Sequence, residues 1–599
     1  MTMRSVAAPR AEARHSRTRP AACRTHARRS LKGHRMDRSP LTRRGALTAA
    51  MATTAALAVP VTAHASASKA GAATGGQPMP DIPKDKVLRV ALVDSEHAHR
   101  PLGSTREVRL RDDKALPNET MGWDTVSAVR LTDVNRAILN NATTPKEWSA
   151  KIPGSTFSSP VEASGGFDAW RLTPGGTGGN VLMKIPFHAT LVVNPGKGET
   201  VYDIQGGSAN VEVYLEYHTS SKDGNVKELK LQSSPGDSGK EDRDGDDAKP
   251  LAMITHLDFD KPDIKNPDEK AAVVRSLTAL LGQWLNARDS GDMSNLGRFD
   301  HVFATIDLNT AEAQGELSWL TPTTREYAYI NGKDANSSYL GVLCMTENRD
   351  PGMAAQELAP GAIITGAEAT FTISIDRVLN KMIMPAVQHS FPDGAFVLTA
   401  GEIVSKGEFS LDTVEAGGLK YHPKVTSFHF SVIGQTLQVE MDVHIPISPG
   451  IDGYATMKYR VQPTMSHNSK GEPNLAYEVV EESSQHWHTV ADWLEGVEIA
   501  VDIIVLVLAS VAGALLARGM SLLVKVVIAA ATALVATLPA IFEQIPLFNA
   551  DKALDDLPGI LAMVNAVTAP ITWADAKTFN PKAAMINGGL QVGGDCFSQ

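Results

Sequence analysis

The chain has 599 residues, of which 43% are apolar and 21% charged, and its formal net charge is −10. A length of this order implies two to four core units. The acidic balance excludes nucleic acid as a partner and argues against polybasic docking on anionic membranes.

The N-terminus addresses the compartment. Residues Met1–Arg35 are basic and rich in Arg, Ala and His, and Met36-Asp37-Arg38 reads as a natural start. Arg43 and Arg44 then open the charge-free run 45–63, and small residues follow at Ala63, Ala65 and Ala67. A basic region, an apolar region and an A-x-A site describe an export signal, and the paired arginines match the twin-arginine type. An ordinary secretory signal that happens to hold two arginines is the alternative. Residues 1–65 carry thirteen Lys/Arg against Glu12 and Asp37, so the chain that follows stands at about −21. The expected order is extension and signal (1–67), a linker with a short strand (68–115), one unit (116–350) and a second (351–599).

Taken in order, the elements are mostly strands. Val87–Val93 is a short apolar run, and Val181–Val193 alternates imperfectly around Pro186. Val211, Val213, Leu215 and Tyr217 repeat every second residue, as do Leu437, Val439, Met441, Val443 and Ile445. Tyr454–Val461 and Leu475–Val480 read similarly, which suits antiparallel sheets with one apolar face. Helices are fewer. Thr132–Asn140 starts at a Thr132 or Asp133 cap. Glu269–Ala287 places Val273, Leu277, Leu280, Leu281 and Leu285 on one stripe, and Ser374–Gln388 follows a Ser374 cap. Residues 220–250, rich in Ser, Gly, Asp and Lys, read as an exposed acidic excursion within the first unit.

Several strings that resemble sites fail on their surroundings. Gly236-Asp237-Ser238-Gly239 has no buried frame for a triad, and the acidic run Asp242–Asp247 has its glycine misplaced for a calcium loop. Gly175–Gly179 lacks the Gly-Lys-Ser/Thr ending of a phosphate loop. His486 and His488 could share a strand face and hold a metal, but no third ligand stands in register. No catalytic, cofactor-binding or metal-binding residue is therefore assigned. Once Cys23 leaves with the N-terminus, Cys344 and Cys596 remain; in an exported chain they either form a disulfide or stay apart and reduced.

Other strings carry a family likeness. Gly122-Trp123-Asp124-Thr125-Val126, followed by Asp133-Val134-Asn135-Arg136-Ala137-Ile138, resembles the opening motif of the forty-seven-kilodalton protein family. The founding member of that family is an accessory protein encoded beside clostridial neurotoxins. Ala304–Asn309, Leu317–Thr323 (with Trp319 and Pro322), Leu340–Thr346, the helix around Asp376 to Pro385, and Ile586–Leu590 follow in the family's order. The resemblance runs from about Met121 to the C-terminus. It implies an α+β fold of the tubular lipid-binding (TULIP-like) type, with long curved antiparallel sheets wrapped on long helices and an apolar groove. A secreted, non-catalytic protein that binds lipid or another apolar ligand is the implied function. An interaction partner of a toxin or insecticidal factor is the alternative, and a secreted hydrolase a remote one. Trp123 and Trp319 read as core anchors. Asp124 either caps the helix that holds Asn135 or satisfies buried backbone donors. Val378, Leu379, Met382 and Ile383 are candidates to line a lipid slot.

One long apolar block remains, Gly496–Ile541, with a break at Arg518-Gly519. Asp502 and Lys525 leave charge-free runs of only fifteen (Ile503–Ala517) and seventeen residues (Val526–Phe542), against the ~20 that a spanning helix needs. A helical hairpin (496–542) packed within the second unit is the preferred reading, ahead of peripheral membrane contact and then a true span.

Overall fold

A computed structural model describes residues 120–597, apart from 156–157, 197, 235–249, 289–292, 308–317, 417, 468–472, 492–503 and 512–569. All of them lie in one compact unit, Ile82–Gln599. The export signal with Arg43, Arg44, Ala65 and Ala67, the strand expected at Val87–Val93, and most of the apolar block lie outside the described residues.

The chain enters on β1 (Thr125–Arg130) and turns straight into α1 (Leu131–Asn141). The cap of α1 is Arg130 rather than Thr132 or Asp133, because the loop ahead of a later strand replaces a side-chain cap. Leu131 N donates to Ser338 O (3.0 Å) and Thr132 N to Ala335 O (3.3 Å). Next come β2 (Glu147–Ile152), β3 (Val161–Phe167), β4 (Arg171–Leu172), β5 (Val181–Val193) and β6 (Thr200–Val213). With β9 (Ala252–Asp258) they form an antiparallel sheet in the order β2-β3-β5-β6-β9, β4 lying beside β5. Its inner face closes on α2 (Pro267–Asn286) through Leu277, Leu280, Leu281, Trp284 and Leu285. Helix α2 starts two residues earlier than its apolar stripe predicts, since Asn266 accepts from Asp268 N and Pro267 fits the first turn. Phe167 meets Trp284 (5.1 Å between centroids), and Trp170 stacks on Phe299 (5.2 Å).

The period-two run 211–217 is not one strand. It breaks at Tyr214, where the chain leaves β6 for β7 (Leu215–Thr219) in a second sheet. That sheet adds β8 (Val226–Leu231), β10 (Ala304–Asp307) and β23 (Ile571–Trp573) in the order β23-β10-β8-β7. The stretch predicted as an exposed excursion thus contains a strand, because Leu229 and Leu231 alternate with charged residues and are buried.

A six-stranded sheet gathers several of the family strings, while Ala304–Asp307 lies in β10 of the four-stranded sheet. The six-stranded sheet runs β11 (Pro322–Ile330), β12 (Tyr339–Thr346), β1, β13 (Ala369–Ser374), β25 (Gly589–Asp595) and β24 (Asn580–Ile586). The boundary expected at 350/351 therefore falls between β12 and β13, which flank the same strand. Both faces of this sheet are covered. Val126, Ala128, Leu343 and Met345 point into one cluster with Trp123, while Val129, Val342, Cys344 and Phe371 point into the main core. That two-sided burial explains why Leu340–Met345 reads as a continuous apolar run.

After β13, the expected helix is a composite: α3 (Ile375–Arg377), a π-helical segment (Val378–Ile383) and α4 (Met384–Ser390). Ser374 occupies the cap position but makes no side-chain cap hydrogen bond. The last large sheet is β14 (Phe396–Thr399), β15 (Glu402–Ser405), β19 (Lys424–Ile433), β20 (Thr436–Ser448), β21 (Ile451–His467) and β22 (Pro473–Val490). β16 (Phe409–Ser410) pairs with β19, and β17 (Val414–Ala416) with β18 (Leu419–Tyr421) forms a separate ribbon. Leu437, Val439, Met441, Val443 and Ile445 face inward as their spacing predicts. Opposite them, β21 buries Ala455, Met457, Tyr459 and Val461. Of the apolar block, residues 504–511 are helical and bury Ile504, Val507, Leu508 and Val511. This stripe meets the sheet at Gly453, where an added Cβ would sit 2.7 Å from Leu508 Cδ2. Among the described residues no helix is long and apolar enough to cross a membrane.

Candidate functional site

Gly122, Trp123, Asp124 and Pro322 gather at one end of the six-stranded sheet, with Trp319 beside them, whereas Asn135 sits apart on α1. Met121 and Gly122 both take positive φ (53° and 94°), which folds the chain back so that Trp123 enters the core. At Gly122 a Cβ would lie 3.1 Å from Ala354, so glycine suits both the dihedral and the space. Trp123 Nε1 donates to Ala355 O (2.7 Å), and Ala355 N donates back to Met121 O (3.0 Å).

Asp124 is 1% exposed and does not cap α1. It takes the other expected role. Its Oδ2 accepts from the backbone N and the hydroxyl of Thr346, each at 2.9 Å, and its Oδ1 is paired with the Arg349 guanidinium. Its main chain ties the flanking strands: Asp124 N donates to Cys344 O (3.1 Å), and Ser374 N donates to Asp124 O (2.9 Å). Pro322 stands opposite Thr346 across β11–β12. Asn135 acts like a strand edge, with Nδ2 donating to Leu172 O (2.9 Å) and Oδ1 accepting from Leu172 N (2.7 Å).

Beside this cluster lies a second one, built on Trp319, whose charged members the sequence reading does not single out. Arg377 is 3% exposed and sits over the Trp319 ring, 5.3 Å from its centroid. It donates to Trp319 O (3.1 Å) and to Glu347 Oε2 (2.7 Å), while Lys381 reaches Glu347 Oε1 (2.6 Å). Burial alone would raise the Glu347 carboxyl, but the hydrogen bonds from Lys381 and Arg377 outweigh it and hold the group below its usual range. The one available signal was the pairing of Arg377 and Lys381 inside a family string. Thr346 closes a family string, but nothing local pointed to Glu347 or Arg349.

The cysteines do not pair. Cys344 and Cys596 are both free and buried. Cys344 is level with Thr125, and through β13 with Leu590, whereas Cys596 lies six residues past Leu590, about 20 Å along the strand direction. A disulfide needs Cα atoms within about 7 Å. Burial pushes both thiols up to about 12 and keeps them protonated at neutral pH. Val378, Leu379, Met382 and Ile383 are all buried in the main core.

A cavity of about 350 Å³ opens instead between β1–β13 and the segment that follows β23. Phe371, Ile571, Trp573 and Phe579 supply its apolar wall, with the exposed Lys577 and the buried Cys596 among the other lining residues. Trp573 Nε1 donates to Ser127 Oγ (3.1 Å) and fixes the wall to β1. Of the rejected strings, Gly175–Gly179 forms a turn bridged at Thr177–Asn180 and Gly178–Tyr329, while 236–239 and 242–247 lie outside the described residues. His486 and His488 do share a face of β22. Among the described residues, no group of three or more His, Cys, Asp or Glu could hold a metal ion.

Comparison with known proteins agrees with the motif strings. The family model described as OrfX-like, Protein OrfX2/OrfX3/P47, matches residues 120–594. Protein OrfX3 of Paraclostridium bifermentans is 28% identical over 509 residues, covering 80% of this chain and 98% of the relative. Protein OrfX3 of Clostridium botulinum (strain Kyoto / Type A2) is 26% identical over 514 residues, covering 80% and 99%. The solved structure of P47 from Clostridium botulinum A2 aligns with a TM-score of 0.49 at 15% identity, over 81% of this chain and 99% of that one. The chain belongs to the OrfX-like family, Protein OrfX2/OrfX3/P47.

Proposed function

We propose that the protein is a secreted, non-catalytic binding protein of the TULIP-like type, exported through its twin-arginine signal, whose ligand is a lipid or another apolar small molecule. The observation that carries this reading is the cavity walled by Phe371, Ile571, Trp573 and Phe579 with Lys577 among its lining. An apolar wall with one cationic side chain suits an acyl chain ending in a carboxylate or phosphate, since burying the chain gains roughly 25 cal/mol per Å² and the ammonium orients the head.

Native mass spectrometry of the protein purified from lipid-rich cells tests it. A copurifying ligand that is lost in Ala576→Trp, which fills the cavity, is expected. A clean apo mass in the unaltered protein overturns the assignment. The family membership favours a second reading, an accessory that associates with a toxin-related protein. A gene that has no toxin-like neighbours would undercut it.

A further inference from the structure

The inner face of edge strand β22 carries an oddity. His486 is 5% exposed, and neither of its ring nitrogens has a hydrogen-bond partner; Nδ1 of His488 is buried and unpartnered as well. Their register fixes where they sit. His486 is opposite Ala455 and His488 is opposite Gly453, the residue on which Leu508 of helix 504–511 rests. The imidazole thus lies two residue pairs along, on the same face, from the contact that seats this apolar helix.

We propose that His486 is an acid-sensitive latch: its protonation releases helix 504–511 from β21–β22 and turns the stripe Ile504, Val507, Leu508 and Val511 toward a neutral lipid bilayer. Among the described residues, nothing that faces the ring could hold the new charge. The facing residues of β21 are Gly453, Ala455 and Met457, with Tyr459 farther along opposite Glu482, and helix 504–511 has no titratable group. β24, which packs on β21 and β22, brings Lys582, already paired with Asp595. On β22 itself the same face carries His488 and, four residue pairs away, the exposed Glu482. Burial alone depresses the His486 pKa, as expected of an imidazole with no counter-charge. An unpaired buried cation is costly enough that the open state takes up the proton instead. The strongly negative chain is repelled by anionic lipid, so a zwitterionic surface is the one an uncharged helix can enter.

This latch does not depend on the cavity, and the two are read by different measurements. The full chain is compared at pH 7.5 and 5.0 by hydrogen exchange, corrected for intrinsic rates, and by co-flotation with phosphatidylcholine vesicles. At pH 5.0, 1.5 units below the ordinary histidine value of 6.5, the open population rises by up to about 30-fold from this one group. Faster exchange of 504–511 and flotation only at pH 5.0 are expected. His486→Phe should keep the helix protected and the protein off vesicles at pH 5.0, with His486→Gln serving if the first variant does not fold. Unchanged exchange in the unaltered chain, or an acid response that survives both substitutions, overturns the latch. Helix release without flotation overturns the assignment of lipid as its partner.

Discussion

Replacing Asp124 by alanine should be among the most damaging single changes in the chain. The carboxylate accepts from both the backbone N and the hydroxyl of Thr346, a residue with 0% exposure, so neither donor can turn to water. Each buried donor left without a partner costs about 1–3 kcal/mol. The pair with Arg349 adds little, since that side chain is 42% exposed. Asp124→Ala should therefore lose about 3–5 kcal/mol, and Asp124→Asn, which keeps one acceptor oxygen, about 1–2 kcal/mol. The measurement is the urea midpoint at an unchanged m-value. Thr346→Val removes one of the two donors, so in the Asp124→Ala background it should cost at least about 1 kcal/mol less than in the unaltered chain. A loss below about 1 kcal/mol for Asp124→Ala, or strict additivity in the double variant, would refute the structural role and reopen a functional one.

Three further outcomes follow from other buried contacts. His301 is 1% exposed, and burial lowers its pKa to about 4, so the unfolded chain binds the proton first as pH falls. Stability should be level above about pH 6.5 and drop by about 3 kcal/mol toward pH 4; His301→Phe should flatten that limb in urea titrations. Asn135→Ala breaks both bonds to Leu172 and should lower stability by about 2–3 kcal/mol, a loss that Asn135→Asp should share because it sets a carboxylate against Leu172 O. Arg377→Met leaves the part-exposed Glu347 with Lys381 and frees Trp319 O, and should cost about 1–2 kcal/mol. Because Glu347 is depressed in the folded state, its contribution is present above the ordinary glutamate range and is lost as pH falls from that range through the lowered folded-state value. That acid limb should shrink in Arg377→Met when stability is followed from pH 6 to 3.

What could be read without coordinates was whatever the backbone period encodes. Leu437–Ile445 and Val181–Val193 declare their buried faces because a half-buried strand must alternate. The stripe of α2 declares itself at the helical period for the same reason. Local pattern fails where a strand changes sheet, as at Tyr214, or where loop carbonyls replace a cap, as at Leu131 and Thr132. It also fails for long-range partners. Asp124 and Thr346 are 222 residues apart, and Ser127 and Trp573 are 446 apart, so no spacing rule connects them. The same limit undid the Cys344–Cys596 pairing, since both residues are buried near one sheet but on different levels of it.

The two ends of the six-stranded sheet have unlike duties. A one-residue slip of β1 would exchange every side chain between its two cores, and with both faces buried there is no solvent-facing side to oppose the slip. The Asp124 end supplies that opposition, for Thr346, Cys344 and Ser374 all bond to one residue, and a shifted register would orphan them together. With register fixed there, the other end can remain incompletely filled. Ser127, Ala369, Thr370 and Phe371 of the same strands line the cavity that β23 closes. Conservative changes near Asp124 should therefore be felt as stability, and, if the proposed apolar ligand occupies the cavity, changes of similar size at Phe371 or Trp573 also as altered ligand retention.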